Sequence, residues 1–180
     1  YARFASNLVE HGEFVFNPGE RIHAATSPLW ALLVAGFVFA FACVAMPGIG
    51  TLGDREFLRS FQVMDRVIQN RQPVFMLVWI GSVIALLASA VLGFGQLDGT
   101  GRVLVIAAVL VYLIGVQLPT ATINIPLNNK VQALAIADMD ETEREAARRE
   151  FESRWNYSNV TRTVLASLVS VLLMIVLLRL

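Results

Sequence analysis

Four apolar runs divide the chain: Leu29 to Met46, Val74 to Phe94, Val103 to Leu118 and Val164 to Leu178. Each is continuous, with no alternation of apolar and polar positions, so each predicts a helix and not a half-exposed strand. Spanning a bilayer takes roughly 20 apolar residues, within a range of about 17–25. The first two runs meet that length unaided. The third and fourth meet it only if their polar flanks, Pro119 to Ile125 and Tyr157 to Thr163, also enter the membrane. Backbone groups in hydrocarbon must bond within their own segment, which again demands helices.

The connections carry patterns of their own. From Asp54 to Asn70, Phe57, Phe61, Met64 and Ile68 recur at helical spacing, with Leu58 and Val67 beside them. Arg55, Glu56, Arg59, Asp65 and Arg66 are read onto the opposite side. This predicts an amphipathic helix lying at the interface or against the bundle. From Asp138 to Trp155, acids come first and Arg148, Arg149 and Arg154 later, as suits a helix dipole. Glu145–Arg149 and Glu150–Arg154 are expected as i,i+4 pairs. The resulting fold class is all-α: an integral membrane four-helix bundle with two amphipathic or soluble connecting helices.

Composition agrees. Hydrophobic residues make up 56% and charged residues 16% of 180, on the membrane side of soluble proteins. Net charge is zero, with no clustered basic face, which argues against a nucleic-acid partner. The expected partners are membrane lipid and a small hydrophobic substrate. Cys43 is alone in an apolar run, so neither an intramolecular disulfide nor a thiolate cage can form. Loop cations set an orientation. Arg55, Arg59, Arg66 and Arg71, and then Lys130, Arg144, Arg148, Arg149 and Arg154, fall on one side of the membrane. Arg3, Arg21, Arg102 and Arg179 fall on the other. The expectation is a multi-pass cell-membrane protein with extracytoplasmic termini.

Polar residues gather where the apolar signal is weakest. The third span runs into Gln117, Thr120, Thr122, Asn124, Asn128 and Asn129, interrupted by Pro119 and Pro126. Proline disfavours helix before it, so a break is expected near Ile125. Ahead of the fourth span, Trp155, Asn159, Arg162 and Ala166 share one helical face, with Thr163 beside them. Amides and a guanidinium are costly in lipid unless satisfied. Two readings stand. In one, the cluster is a polar clamp between helices, with Arg162 reaching for the interface. In the other, Arg162 faces an oxyanion or carbonyl, positioned by Asn124, Asn128 and Asn159, while Trp155, Thr163 and Gln117 bind substrate.

Two stretches carry a family resemblance: TATINIPLNNKVQAL (Thr120 to Leu134) and FESRWNYSNVTRTVLASLVSVLL (Phe151 to Leu173). With Ala35 to Gly50 and Arg71 to Phe75, they resemble the anthrone oxygenase-like family of small four-span membrane proteins, over about residues 32–180. The pairing of N-x-P-L-N with W-x-x-x-N-x-x-R-T is the specific part. The resemblance implies oxidation of an anthrone to an anthraquinone by molecular oxygen as co-substrate, with no cofactor. It further implies that Arg162, Asn124, Asn128 and Asn159 supply cation and amide donors to the substrate oxyanion.

Tyr1 to Leu33 resembles a different family, an extracytoplasmic loop of polyprenyl-phosphate-sugar-dependent membrane glycosyltransferases, without that family's catalytic segment. Residues 1–30 are accordingly read as an N-terminal extramembrane segment, foreign to the domain at 31–180 or a misplaced start. The chain opens on Tyr1 and not Met, as a fragment or trimmed chain would. A glycosyltransferase fragment is the third reading of the whole.

Other chemistry finds little purchase. His11 and His23 have neither helical pairing nor a Cys partner, so no metal site is expected. Gly48-Ile49-Gly50 is read as part of a Pro-Gly turn without the Lys-Ser/Thr of a phosphate loop. Gly36 and Gly81 are expected to allow close helix contact.

Overall fold

A computed structural model describes residues 26–95 and 97–178, and every element among them is helical. Helix α1 runs from Thr26–Ala40 through a π-helical turn, Phe41–Ala45, into Met46–Gly50. Helix α2 is Asp54–Gln69 and α3 is Pro73–Gly93. Helix α4 begins at Gly99–Tyr112, passes two π-helical turns, Leu113–Gln117 and Thr120–Asn124, and ends with Ile125–Gln132. Helix α5 is Glu141–Leu178. Within α1, α3, α4 and α5 lie four segments long and apolar enough to cross a membrane, making this a multi-pass membrane protein. The amphipathic or soluble connection expected before the fourth span is the first half of α5 itself: no Gly or Pro interrupts its 38 residues.

The break expected near Ile125 does not occur, and Pro47 does not end the first span. All three proline sites, Pro47, Pro119 and Pro126, are carried by wider turns. Met46, Leu118 and Ile125, each immediately before a proline, donate their N–H five residues back, to Phe41, Leu113 and Thr120. The proline ring would collide with the carbonyl four residues earlier in a regular helix. A π-helical turn just ahead of it widens the coil and removes that conflict. Thr120 and Thr122 hydroxyls also donate to Val116 and Leu118 carbonyls, at 2.6 and 2.8 Å. Gly48-Ile49-Gly50 is thus the last turn of α1, not a loop.

Helix α5 is the centre of the bundle and packs on α1, α2 and α4, while α1 also packs on α3. Two apolar cores stack along it. One joins Val34, Val38, Tyr112, Val116, Ala166 and Val169; the other joins Met46, Phe57, Phe61, Leu127, Phe151 and Trp155. Gly81 lies against the Trp30 ring, where a Cβ would come within 3.3 Å of it. Gly36 has open space around it, so its expected contact role is not seen.

Helix α2 lies against the bundle, with Phe57, Leu58 and Phe61 buried. Asp65 is buried with them at 3% exposure, against the expectation that it faces the polar side. The reason is spacing: Phe57, Phe61 and Asp65 follow at four-residue steps and share one stripe. At the end of α2, Asn70 and Arg71 N–H groups bond Arg66 and Ile68 carbonyls, both at 2.9 Å. Arg71 therefore occupies the left-handed position past the helix end, φ 56°, where Gly or Asn is usual. A side chain there costs roughly 1–2 kcal/mol.

One cation ties three elements. Arg148 donates to Gly50 and Leu52 carbonyls, both at 2.8 Å, to Asp54 at 3.0 Å and to Glu152 at 2.7 Å. Its guanidinium also sits 4.3 Å from the Phe57 ring centre. Arg149 meets Glu145 at 3.3 Å as expected, whereas Glu150 bonds Lys130 at 2.6 Å, across to α4 and not along its own helix. Asp140 and Glu143 bond each other's backbone N–H at 2.8–2.9 Å and start α5 as a capping box.

Candidate functional site

Between the two apolar cores, α5 presents Ser158, Asn159, Arg162 and Thr163, all buried. Helical spacing puts Asn159 and Arg162 on the face that meets α1 and the π-helical turns of α4. Arg162 is 4% exposed. Its two terminal nitrogens donate to Thr120 Oγ1 at 2.9 Å and to Asn159 Oδ1 at 2.8 Å. Asn159 Nδ2 donates onward to the Val38 carbonyl at 3.0 Å, and Thr163 Oγ1 donates to the Asn159 carbonyl at 2.8 Å. Beside this chain, Ser158 Oγ donates to Asn124 Oδ1 at 2.7 Å.

Among the described residues, three buried donors in this layer have no partner: Arg162 Nε, Asn124 Nδ2 and Gln117 Nε2. The Tyr112 hydroxyl pairs with Ser82 Oγ. Among the described residues no carboxylate forms an ion pair with Arg162. A buried guanidinium held only by neutral oxygens is an uncompensated cation, costly in lipid. The layer is short of acceptors and carries surplus positive potential.

A second network lies about one turn away along α5, toward α2. Trp155 Nε1 donates to Asn128 Oδ1 at 2.7 Å, and Asn128 Nδ2 donates to Asp65 Oδ1 at 2.7 Å. The other Asp65 oxygen accepts from Gln69 Nε2 at 3.0 Å and Gln132 Nε2 at 2.9 Å. Gln62 and Gln132 cross-link the same elements, Gln62 donating to Val131 and Leu134 carbonyls and Gln132 to the Gln62 carbonyl. Here every polar atom of Asp65 and Asn128 is used.

The predicted residues therefore fall into two groups. Arg162 and Asn159 are bonded together, and Asn124, Thr163 and Gln117 share their layer. Asn128 and Trp155 belong to the Asp65 network instead. Sequence reasoning missed Asp65, Ser158 and Thr120 as members. The four-residue step from Phe61 would have placed Asp65 on the buried face. Thr120 was legible only as one polar residue in a proline-flanked stretch.

Among the described residues, two surface cavities lie elsewhere. One, of about 610 Å³, is an apolar groove walled by Phe37, Phe41 and Val44 of α1, Met64 and Val67 of α2, and Phe75 of α3. The other, of about 460 Å³, lies between the end of α4 and the start of α5, near Lys130 and Glu150. Neither is lined by Asn124, Asn128, Asn159 or Arg162. Phe41 joins the groove to the second network, its ring 5.8 Å from that of Trp155. No group of three metal-ligating side chains occurs among the described residues, and His11 and His23 lie outside them.

A family model described as anthrone oxygenase matches residues 64–172. That stretch takes in most of α2's second half, α3, α4 and α5 through both polar networks. No curated protein and no solved structure matches the chain. Nothing in these comparisons supports the glycosyltransferase likeness of residues 1–33, of which 1–25 lie outside the described residues.

Proposed function

The chain belongs to the anthrone oxygenase family, and from that premise we propose that it is a membrane-embedded oxygenase acting on a phenolic or polycyclic small molecule. In the reaction a methylene carbon beside the phenolic system loses a proton and the resulting carbanion attacks molecular oxygen. Loss of water from the peroxide leaves a carbonyl. The balance is R₂CH₂ + O₂ → R₂C=O + H₂O, with no external reductant.

The observation that carries this reading is the donor surplus around Arg162. Ionised phenol or enolate oxygen needs cationic and N–H donors held ready in a dry site. Arg162 Nε and Asn124 Nδ2 are buried, unpartnered donors on facing helices. Arg162 supplies the charge, Asn159 and Thr120 hold its plane, and Asn124 adds a second donor. Gln117 and Thr163 flank the substrate. Asn128 and Trp155 act more remotely, by fixing α2 against α4 and α5.

The test is oxygen consumption by the purified protein with an anthrone. Removing one oxyanion donor typically costs on the order of 10²–10³ in turnover. Arg162→Ala is expected to lose at least that much per folded molecule. Turnover unchanged in this variant would sink the assignment.

A second reading is favoured by the bonds Arg162 already makes: the layer acts as a clamp that fixes helix register. It expects Arg162→Ala to lose stability, with no turnover in the wild type to lose. The cation-rich side of the membrane, which carries α2 and the start of α5, is assigned to the cytoplasm. Labelling of a cysteine placed at Arg55 from the outside of intact cells would reverse that orientation.

A further inference from the structure

The helices that meet at the buried polar layer are bonded rung by rung. Thr120 and Asn124 stand four residues apart on α4, and Ser158 and Arg162 four apart on α5, so each pair shares one helix face. Arg162 Nη1 donates to Thr120 Oγ1 at 2.9 Å, and Ser158 Oγ donates to Asn124 Oδ1 at 2.7 Å. Each rung keeps one buried donor over: Arg162 Nε on the first and Asn124 Nδ2 on the second, neither with a partner among the described residues. The two free donors thus come from opposite helices and from neighbouring rungs. Residues four apart on a helix lie roughly 5–6 Å apart at Cβ. A single acceptor atom that takes N–H bonds of about 2.9 Å bridges that spacing.

We propose that Arg162 and Asn124 form a site for a singly charged, weakly hydrated anion, of which chloride is the type, held between the α4 and α5 rungs. Arg162 and Asn124 are 4% and 3% exposed, so an ion that meets their free donors leaves its hydration behind. The acceptors already around Arg162, the Thr120 hydroxyl and the Asn159 amide oxygen, are neutral. Among the described residues no carboxylate forms an ion pair with it, so one negative charge balances the layer. A doubly charged or strongly hydrated anion loses more hydration here than one cation returns. The inference rests on the reading of this layer as a place that receives a ligand. A phenolate oxygen is an acceptor of the same charge, so chloride and the substrate oxyanion exclude each other, and chloride supplies the countercharge when substrate is not bound.

The full chain in detergent is exchanged into sodium gluconate and titrated with sodium chloride at constant ionic strength, which holds screening fixed. The thermal transition is expected to rise saturably with chloride, as binding to the folded state requires. Equilibrium dialysis with radiolabelled chloride is expected to give one ion per chain. Asn124→Ala removes one donor and weakens binding on the order of 10-fold. Asn124→Asp keeps the acceptor for Ser158 and sets a carboxylate beside the guanidinium. It is expected to abolish the chloride response while its transition in gluconate stays at or above that of the wild type. In turnover with an anthrone, chloride raises KM and leaves kcat unchanged. Equal transitions in chloride and gluconate would overturn the proposal, as would unchanged chloride affinity in Asn124→Ala or in a folded Asn124→Asp protein. Chloride binding without any anthrone turnover leaves this site standing and removes the oxygenase; turnover without any chloride response does the reverse.

Discussion

The Asp65 network and the Arg162 layer both hang on α5, about one helical turn apart, yet they are finished differently. At Asp65 three amides meet one carboxylate, and each oxygen is taken. At Arg162 one cation meets two neutral oxygens, and three buried donors nearby stay idle. A complete buried network rigidifies the structure around it; an incomplete one stores unspent interaction. Native proteins leave few buried polar groups unpaired, and those that persist call for a reason. Under the proposed function, completeness separates a latch from a place prepared for a ligand, although both are built from the same residue types.

The largest effect that would break this comparison is at the latch. Asp65→Leu strands Asn128 Nδ2 and takes one of two bonds from each of Gln69 and Gln132 Nε2; a stranded buried donor alone costs about 1–3 kcal/mol. The expected loss is about 3 kcal/mol or more of stability, read as a lowered thermal transition in detergent. Turnover per folded molecule should change by less than about threefold. A folded Asp65→Leu protein that is inactive would move Asp65 out of the latch and into the chemistry. Arg148→Ala comes next, at about 2 kcal/mol, because it removes caps on the α1 carbonyls together with bonds to Asp54 and Glu152. A part of that loss should be reproduced by salt in the wild type, since the two carboxylates are only partly buried.

The sequence makes parts of this legible and hides others, for identifiable reasons. The spans were visible because apolar runs need no partner to declare themselves. The continuity of α5 was readable too, from the absence of Gly and Pro between Glu141 and Leu178. What misled was proline. Pro47, Pro119 and Pro126 each signal a helix end by local rules, and each is overridden by a π-helical turn just before it. Those turns of α4 pack on α5, where Arg162 bonds Thr120 and Ser158 bonds Asn124. Such a partner lies outside any local window. Residue types around Arg162 were legible, but the division between its layer and the Asp65 network was not. Asn124 and Asn128 are four residues apart, and only the facing side chains tell them apart.

Thr120→Val gives the smallest expected effect and the sharpest one. Valine keeps the shape of the side chain and removes the acceptor that Arg162 Nη1 uses, along with a donor to the Val116 carbonyl. A lost hydrogen bond to a charged group is worth about 1.5–3 kcal/mol, of which relaxation toward Asn159 should recover a part, leaving about 1 kcal/mol. If the layer is a clamp, that loss is final, and no small molecule restores it. If the layer awaits an oxyanion, a phenolate or anthraquinone product occupies the freed donors, and saturating ligand raises the variant's thermal transition at least as much as the wild type's. Ligand at 100 times its dissociation constant stabilises by about 2.7 kcal/mol, more than the mutation removes. Rescue is therefore measurable above the damage, and its absence in a protein that still binds the same ligand would leave Arg162 as a clamp.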